Sequence, residues 1–243
     1  MAVVVPAYRE ERLLPRTLSQ MPHWVDRIIV VDDGSPDDTF AVAQRCARAD
    51  ARVEVIRLGF NQGVGAAIVA GYRRALQRGD DVVAVMAADA QMDPADLPAV
   101  VRPVVRGEAE YAKGDRLAHG EARQMPPVRR LGTGILGHLT GLVAGMPGLR
   151  DSQCGYTAIS STTLKKLPLE RLYPRYGYPN DLLIRLGERG ARVAQPVVRP
   201  VYADEISGLR VSAVVGPIGG ILLRGALRRS SAPVRRLAVA LLS

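Results

Sequence analysis

Residues 81–94 read DVVAVMAADAQMDP. Val82 to Met86 form an unbroken apolar run, and such a run bounded by turn residues suits a strand buried on both faces. The run empties into small residues and then into Asp89, Gln91, Asp93 and Pro94. An Asp directly before a Pro fits an N-cap and a first helical position, so a helix is expected to leave this turn. Open α/β sheets bind ligands beyond the carboxyl ends of their strands. Oxygen-only donors there suit Mg²⁺ or Mn²⁺ rather than zinc. A divalent cation holding a phosphorylated substrate is one expectation; a solvated polar turn in which Asp93 merely caps a helix is the other.

Outward from this stretch, the same alternation recurs. AVVVPAY (2–8) is a short β-branched strand ended by Pro6, and Leu13, Leu14 and Leu18 have helical spacing despite Pro15. Ile28 to Val31 read as a second buried strand, DDGSPDD as turn chemistry, and Thr39 to Ala49 as an alanine-rich helix. RVEVIRL (52–58) is a third strand, GFNQG a loop, and residues 64–79 a helix closed by Gly79. Strand and helix thus alternate four times in the first hundred residues, which predicts βαβ crossovers and a mostly parallel sheet.

The second half is less regular. AEYAKGDRL looks like a fifth strand, DSQCGYTAI like a turn and then a strand, and STTLKKL like a short helix. Residues 129–146 are apolar, glycine-rich and free of acids, which predicts a packed or membrane-facing helix. An aromatic loop precedes a helix expected to start near Asn180 or Asp181. The proline-broken ARVAQPVVRPVYAD is expected at a sheet edge.

The chain has 243 residues, enough for a full core, and one domain with appendages is the simplest division. Its 23% charged content excludes wholesale disorder. Cys46 and Cys154 supply no disulfide framework, and no secretory signal opens the sequence, so a cytoplasmic location is expected. The formal charge of +9 calls for polyanionic partners: nucleic acid, anionic lipid or nucleotide substrates. No zinc-finger spacing or RNA-binding aromatic signature is present, and with two Phe and one Trp a base-stacking surface is not expected; no nucleic acid partner is predicted.

The C-terminal VSAVVGPIGGILLRGALRR has too short an uncharged run to span a bilayer. Flanked by Arg210, Arg224, Arg228, Arg229, Arg235 and Arg236, it can lie in the head-group region of an anionic membrane. The alternatives are a helix packed on the catalytic domain, or a remnant of a longer membrane tail. The division expected is 1–205 for a catalytic domain and 206–243 for a basic amphipathic segment.

Further groups carry chemistry. In VVDDGSPDDT, Asp32 and Asp33 fall at a strand end, where a carboxylate can accept from a base imide or from ribose hydroxyls. Asp37 or Asp38 is expected to cap the next helix. Glu10 ends strand one beside that pair and could take a ribose hydroxyl. NQGVGAA fails as a dinucleotide loop because Ile68 fills the third glycine position, so Gly63 is read as a tight turn that lets the helix pack on the sheet.

VVVPAYRE, VVDDGSPDDT, NQGVGAAIVAGYRRAL and MAADAQMDP, in this order and spacing, resemble the GT-A catalytic domain of family 2 glycosyltransferases, most closely the polyprenyl-phosphate (dolichyl-phosphate-mannose-synthase-like) sugar transferases. The resemblance covers about residues 2–160 well and runs more loosely to about 210. It implies an α/β, Rossmann-like, mostly parallel sheet flanked by helices, with C-terminal amphipathic helices at a membrane surface. It also implies that Pro6, Ala7, Tyr8, Glu10, Asp32, Asp33, Ala88 and Asp89 contact the nucleotide sugar, with Asp89 and Gln91 on Mg²⁺ or Mn²⁺. The family usually has Asp-x-Asp and a Gln two residues later; here the first acid is replaced by Ala87, which should weaken the metal. KGDRL places Arg116 near phosphates or acceptor, DSQCGYTAI places Asp151 near the acceptor, YGYPNDLLIRL offers Asp181 as a base, and SGLR offers Arg210 as a phosphate ligand.

The activity implied is inverting transfer of a hexose from a GDP- or UDP-sugar to polyprenyl phosphate. The protein would then be peripheral at the inner face of the membrane, and a homo-oligomer stays open. A saccharide hydroxyl acceptor, as in exopolysaccharide or cell-wall assembly, would need Asp181 to remove a proton. An ionised lipid phosphate needs no base, only arginines to position it. The missing acid at position 87 also leaves room for a non-catalytic nucleotide-sugar or membrane-binding module. A sugar-phosphate nucleotidyltransferase is disfavoured, since VPAYREERLLP has no glycine-rich loop.

Overall fold

The fold is seen in a computed structural model that describes residues 1–201 and 216–229. Four strands pair in parallel: β1 (Ala2–Ala7), β2 (Arg27–Asp32), β3 (Val53–Arg57) and β4 (Val82–Val85). Three more extend the sheet: β5 (Tyr111–Lys113), β6 (Thr157–Ser160) and β7 (Val193–Ala194), giving the order β3-β2-β1-β4-β6-β5-β7. β6 runs antiparallel to both β4 and β5, so it is the one reversed strand of the seven. The chain is therefore the mostly parallel α/β protein that its cadence predicts.

Alternating side chains along the central strands feed two cores. Val3, Val5, Ile28 and Val30 face α1 (Leu14–Ser19), α2 (Thr39–Ala49) and α4 (Leu97–Val105). Val4, Ile29, Val31 and Val83 face α3 (Val64–Arg78) and α7 (Tyr178–Glu188). Burial on both faces is why these strands are continuous apolar runs rather than alternating ones. α3 comes close enough that a Cβ on Gly71 would run into the Val4 side chain, and Gly63 (φ 104°) supplies the turn that starts the helix. α5 (Pro127–Ala144) and α6 (Ser161–Lys166) complete the named helices, and α8 (216–229) packs Ile221 and Gly225 against α5 and α7. This helix packs on the rest of the domain with Leu223 and Leu227 left exposed; 202–215 and 230–243, with Arg210, Arg235 and Arg236, lie outside the described residues. No described helix is long and apolar enough to cross a membrane.

Several boundaries differ from the sequence reading. β1 does not stop at Pro6 but continues to Ala7. β4 pairing ends at Val4↔Val85, so the N–H that Pro6 lacks has no ladder partner to lose. The 81–94 stretch is strand only over Val82–Val85. Asp93 caps as expected, with Oδ1 accepting from the Ala95 N–H at 2.9 Å, but the first turn, Pro94–Asp96, is a 3₁₀ turn that leads into α4. α7 starts at Tyr178 rather than near Asn180, because Pro179 sits in the first turn where an N–H is not needed. Before α2, Asp37 Oδ1 accepts from both the N–H and the hydroxyl of Thr39; Asp38 holds the N-cap position without a side-chain bond.

Candidate active site

Because β1 lies between β2 and β4, the carboxyl ends of all three meet at one edge of the sheet. The turn after β4 is fixed from several sides. Met86 N–H donates to Val4 O at 3.0 Å and Thr17 Oγ1 donates to Ala88 O at 3.0 Å. Ala87 N–H donates to Met92 Sδ at 3.2 Å, and the Tyr156 hydroxyl donates to Asp93 O at 3.0 Å. Within the turn, Asp89 Oδ1 accepts from the Gln91 N–H at 3.0 Å, and Ala90 is held at φ 55°. A left-handed alanine is uncommon and costs energy that the surrounding bonds must supply. The outcome is a half-buried Asp89 and Gln91 on the wall of a shallow cleft.

Arg116, Gly155, Tyr156 and Arg199 also line that cleft. Arg116 grips Asp151 with two bonds, Nε to Oδ2 at 2.8 Å and Nη2 to Oδ1 at 3.1 Å. Asp151 also accepts from the N–H groups of Gln153 and Cys154, each at 3.0 Å. Burial would raise the Asp151 pKa, but the Arg116 charge and bonds, with Lys113 and the Gln153 N–H, hold it below the usual carboxylate range. A carboxylate so occupied is a poor proton acceptor. Its geometric effect is to lock Arg116 into one orientation against the cleft.

The two carboxylates after β2 are buried and internally engaged. Asp33 accepts from the N–H groups of Gln62 and Gly63, both at 2.8 Å, and so pins the loop before α3. Asp32 accepts from Ser35 N–H at 3.1 Å; its Oδ2 lies 3.3 Å from Arg57 Nε, too oblique for a hydrogen bond. At the end of β1, Tyr8 is exposed with the Arg9 guanidinium over its ring, and Glu10 donates its N–H to Thr39 Oγ1 at 2.8 Å. Pro6, Ala7, Tyr8, Glu10, Asp32, Asp33, Ala88, Asp89 and Gln91 thus share one sheet edge, with the Arg116–Asp151 pair on the same cleft.

Asp181 stands apart. Its Oδ2 accepts from the Tyr173 N–H and from Arg185 Nε, both at 3.0 Å, and Arg228 approaches Oδ1 at 3.7 Å. It lines a different cleft, with Arg171, Arg185, Arg224 and Arg228. The neighbour that does reach the loop after Asp151 is Asn180, whose Oδ1 accepts from Gln153 Nε2 at 2.8 Å. Arg210 lies outside the described residues.

Three groups near the site were not singled out in the sequence. Arg199 lines the cleft from beyond β7. Asp115 is buried and ion-paired to Arg150 at 2.6 Å while capping the N–H groups of Leu117 and Ala118. Lys113 is buried in β5 with Nζ donating to Cys154 O. With Glu110, Asp115 and Arg116 charged in the same stretch, no pattern of charge marked Lys113 as the buried one. Burial pushes its pKa down to about 8, opposed by Cys154 and Asp151 and assisted by Arg116.

Between pH 8 and the ordinary lysine value the unfolded chain keeps this proton while the folded chain has released it. Stability therefore rises with pH in that window, and the penalty is full below it. Relative to Lys113→Met, the wild type is expected to gain about 3 kcal/mol between pH 7.5 and 10.5 in urea melts run side by side. A difference that stays flat across that range sinks the assignment.

Oxygen donors on Asp89 and Gln91 fit Mg²⁺ or Mn²⁺, which needs only one or two protein carboxylates. Among the described residues no group of three His, Cys, Asp or Glu side chains gathers into a ready-made cation site. A cation held here would be completed by substrate oxygens.

The chain is similar to several known proteins. The polyprenol monophosphomannose synthase of Mycolicibacterium smegmatis is 31% identical over 241 residues, covering 96% of this chain and 91% of its own. The UDP-N-acetylglucosamine–dolichyl-phosphate N-acetylglucosaminyltransferase of Methanococcus voltae is 27% identical over 88% of this chain and 90% of its own. In three dimensions the chain is similar to the Mycobacterium tuberculosis glucosyl-3-phosphoglycerate synthase solved with Mn²⁺ and UDP-glucose, at a TM-score of 0.73. That likeness, at 22% identity over 93% of this chain and 78% of the other, is one of fold. The glycosyl transferase family 2 model matches residues 2–166, a span that takes in β1 to β6, the turn bearing Asp89 and the Arg116–Asp151 pair; the chain belongs to that family.

Proposed function

We propose that this protein transfers a hexose, with inversion, from a nucleotide-diphosphate sugar to a polyprenyl phosphate at the cytoplasmic face of a membrane. One observation carries the choice of acceptor. Of the described residues lining the Asp89 cleft, Asp89 is the one carboxylate, and it is accompanied by Arg116 and Arg199. The nearby Asp151 is tied to Arg116, and Asp181 lies in another cleft. A hydroxyl acceptor needs a base to take its proton; a phosphate acceptor arrives ionised and needs cations to hold it. The similarity to the M. smegmatis polyprenol monophosphomannose synthase and the M. voltae dolichyl-phosphate N-acetylglucosaminyltransferase supports the same choice.

In this reading the base and ribose of the donor lie against Tyr8, Glu10 and the Asp32–Asp33 turn, with the diphosphate at Ala88 and Asp89. Asp89 and Gln91 hold Mg²⁺ or Mn²⁺, which when bound supplies charge neutralisation for the departing diphosphate. Arg116, oriented by Asp151, and Arg199 hold the acceptor phosphate. An oxygen of that phosphate forms the new bond to the anomeric carbon while the bond from that carbon to the donor diphosphate breaks on the opposite side. No proton has to move.

The full chain is to be incubated with labelled UDP- or GDP-sugar, Mg²⁺ or Mn²⁺, and either polyprenyl phosphate or a saccharide. Label in a lipid-linked sugar phosphate of inverted anomeric configuration supports the proposal. Transfer only to the saccharide overturns the acceptor assignment. Donor binding without transfer or hydrolysis leaves a non-catalytic module, the reading that Ala87 favours.

A further inference from the structure

Beside the cleft, two pairs of neighbouring residues meet in opposite charge order. Asp115 and Arg116 follow β5; Arg150 and Asp151 come before β6. Arg116 grips Asp151 with two bonds, and Asp115 Oδ2 lies 2.6 Å from Arg150 Nε. The two ion pairs form a clasp, Asp-Arg against Arg-Asp. A slip of one residue in one direction would oppose Asp115 to Asp151, and in the other Arg116 to Arg150. Like charges repel at such contact, so the clasp admits a single register. Both carboxylates are buried. Buried ion pairs add little net stability, and fixing one arrangement against its alternatives is their best-attested use.

Asp115 also ties down the chain on either side of the clasp. Its Oδ1 accepts from the N–H groups of Leu117 and Ala118, at 3.0 and 3.2 Å, and so turns the backbone directly after Arg116. Its own N–H donates to Pro196 O at 2.8 Å, and its carbonyl accepts from the Val198 N–H at 3.2 Å. Arg150 is held as firmly. Its N–H donates to Gln195 Oε1 at 3.0 Å, and α5 lies so close that a Cβ on Gly137 would run into its carbonyl. The three segments joined in this way carry Arg116, Asp151 and Arg199. Arg116 and Arg199 line the Asp89 cleft, whereas Asp115 and Arg150 do not, so the outer pair can act there only through its neighbours.

We infer that Asp115 and Arg150 are positioning residues whose ion pair holds the Arg116 guanidinium where the acceptor phosphate is bound. What Arg116 binds rests on the acceptor reading given above; where Arg116 is held rests on the clasp alone. Neither residue exchanges a proton or touches the reacting atoms. Their effect is on the acceptor, since the donor's base and diphosphate lie against β1, β2 and the turn after β4.

The test compares the full chain as wild type, D115N, R150M and D115N/R150M. D115N keeps an oxygen for the Leu117 and Ala118 N–H groups and removes the charge that faces Arg150; R150M removes the partner charge. Each single variant is expected to raise the KM for polyprenyl phosphate about tenfold and to leave the donor KM within about twofold of wild type. The double variant is expected to be no worse than the worse single one, because the two residues act as a pair. Y72F, which removes a buried hydroxyl bonded to that of Tyr178 at 3.1 Å, is the control for lost stability: its melt falls while both KM values stay. A second readout needs no substrate. Labelling of Arg116 by phenylglyoxal, mapped by mass spectrometry, is expected to run at least about threefold faster in D115N, because the clasp opens more often. An acceptor KM that does not move in D115N and R150M, or that moves together with the donor KM, overturns the inference. So does Arg116 labelling at the wild-type rate. A wild type that transfers only to a saccharide sinks the acceptor reading instead, and the labelling rate then decides the clasp by itself.

Discussion

Replacing Arg116 with Met is expected to destabilise the protein by about 3–5 kcal/mol, because it strands the Asp151 carboxylate in the interior. Asp151 is 1% exposed and receives two bonds from this one guanidinium. The N–H groups of Gln153 and Cys154 would remain, and Lys113 stays nearby, which sets the loss towards the lower end of that range. Removing the charge as well, in R116M/D151N, should recover a large share, so the two changes are strongly non-additive. The pH dependence separates this from a packing defect. Asp151 has a lowered pKa, so its contribution is present above the ordinary Asp value and is lost as pH falls through the folded one. R116M should therefore lose stability at pH 7 and differ much less from wild type at the acid end of the range. Urea melts of wild type, R116M, D151N and the double variant at both pH values decide it. A single-variant loss under about 1 kcal/mol at pH 7, or simple additivity, would show the pair to be a surface contact in effect.

The sheet was legible because its central strands are buried on both faces, which makes apolar runs such as Ile28–Val31 and Val82–Val85 visible without alignment or structure. The reversed β6 was not legible. Thr157–Ser160 reads as a strand of either direction, and its insertion between β4 and β5 depends on pairings far apart in sequence. Asp89 could be singled out because a carboxylate at a strand's carboxyl end falls at a sheet edge whatever the rest of the fold does. Asp181 shows the opposite case. It lies on the first turn of a helix, and Arg185 one turn later draws it away from the Asp89 cleft, a contest that spacing alone does not weigh. Lys113 stands among Glu110, Asp115 and Arg116, so its charge did not set it apart, and its depth depends on β7 closing the sheet beside it. Arg199 follows the weakest strand, where prolines obscure the pattern.

Replacing Asp89 with Ala is expected to lower sugar transfer by about 10²–10³-fold and to abolish any Mn²⁺-dependent thermal shift produced by the nucleotide. The turn should survive the change. Thr17 holds the Ala88 carbonyl, Met92 receives the Ala87 N–H, Tyr156 holds the Asp93 carbonyl, and none of these bonds uses the Asp89 side chain. The bond lost from the Gln91 N–H to Oδ1 is typically worth about 1 kcal/mol, small beside the effect on rate. A folded D89A protein without metal response therefore reports on chemistry rather than collapse. The reciprocal change, Ala87→Asp, restores an acid two residues upstream on the same half-buried turn and should tighten Mn²⁺ by about tenfold or more, since a second anionic ligand replaces water. The two variants bracket the site from opposite directions. If the metal-dependent shift persists in D89A while A87D changes nothing, the cation is held by other residues, and the turn after β4 serves only to start α4.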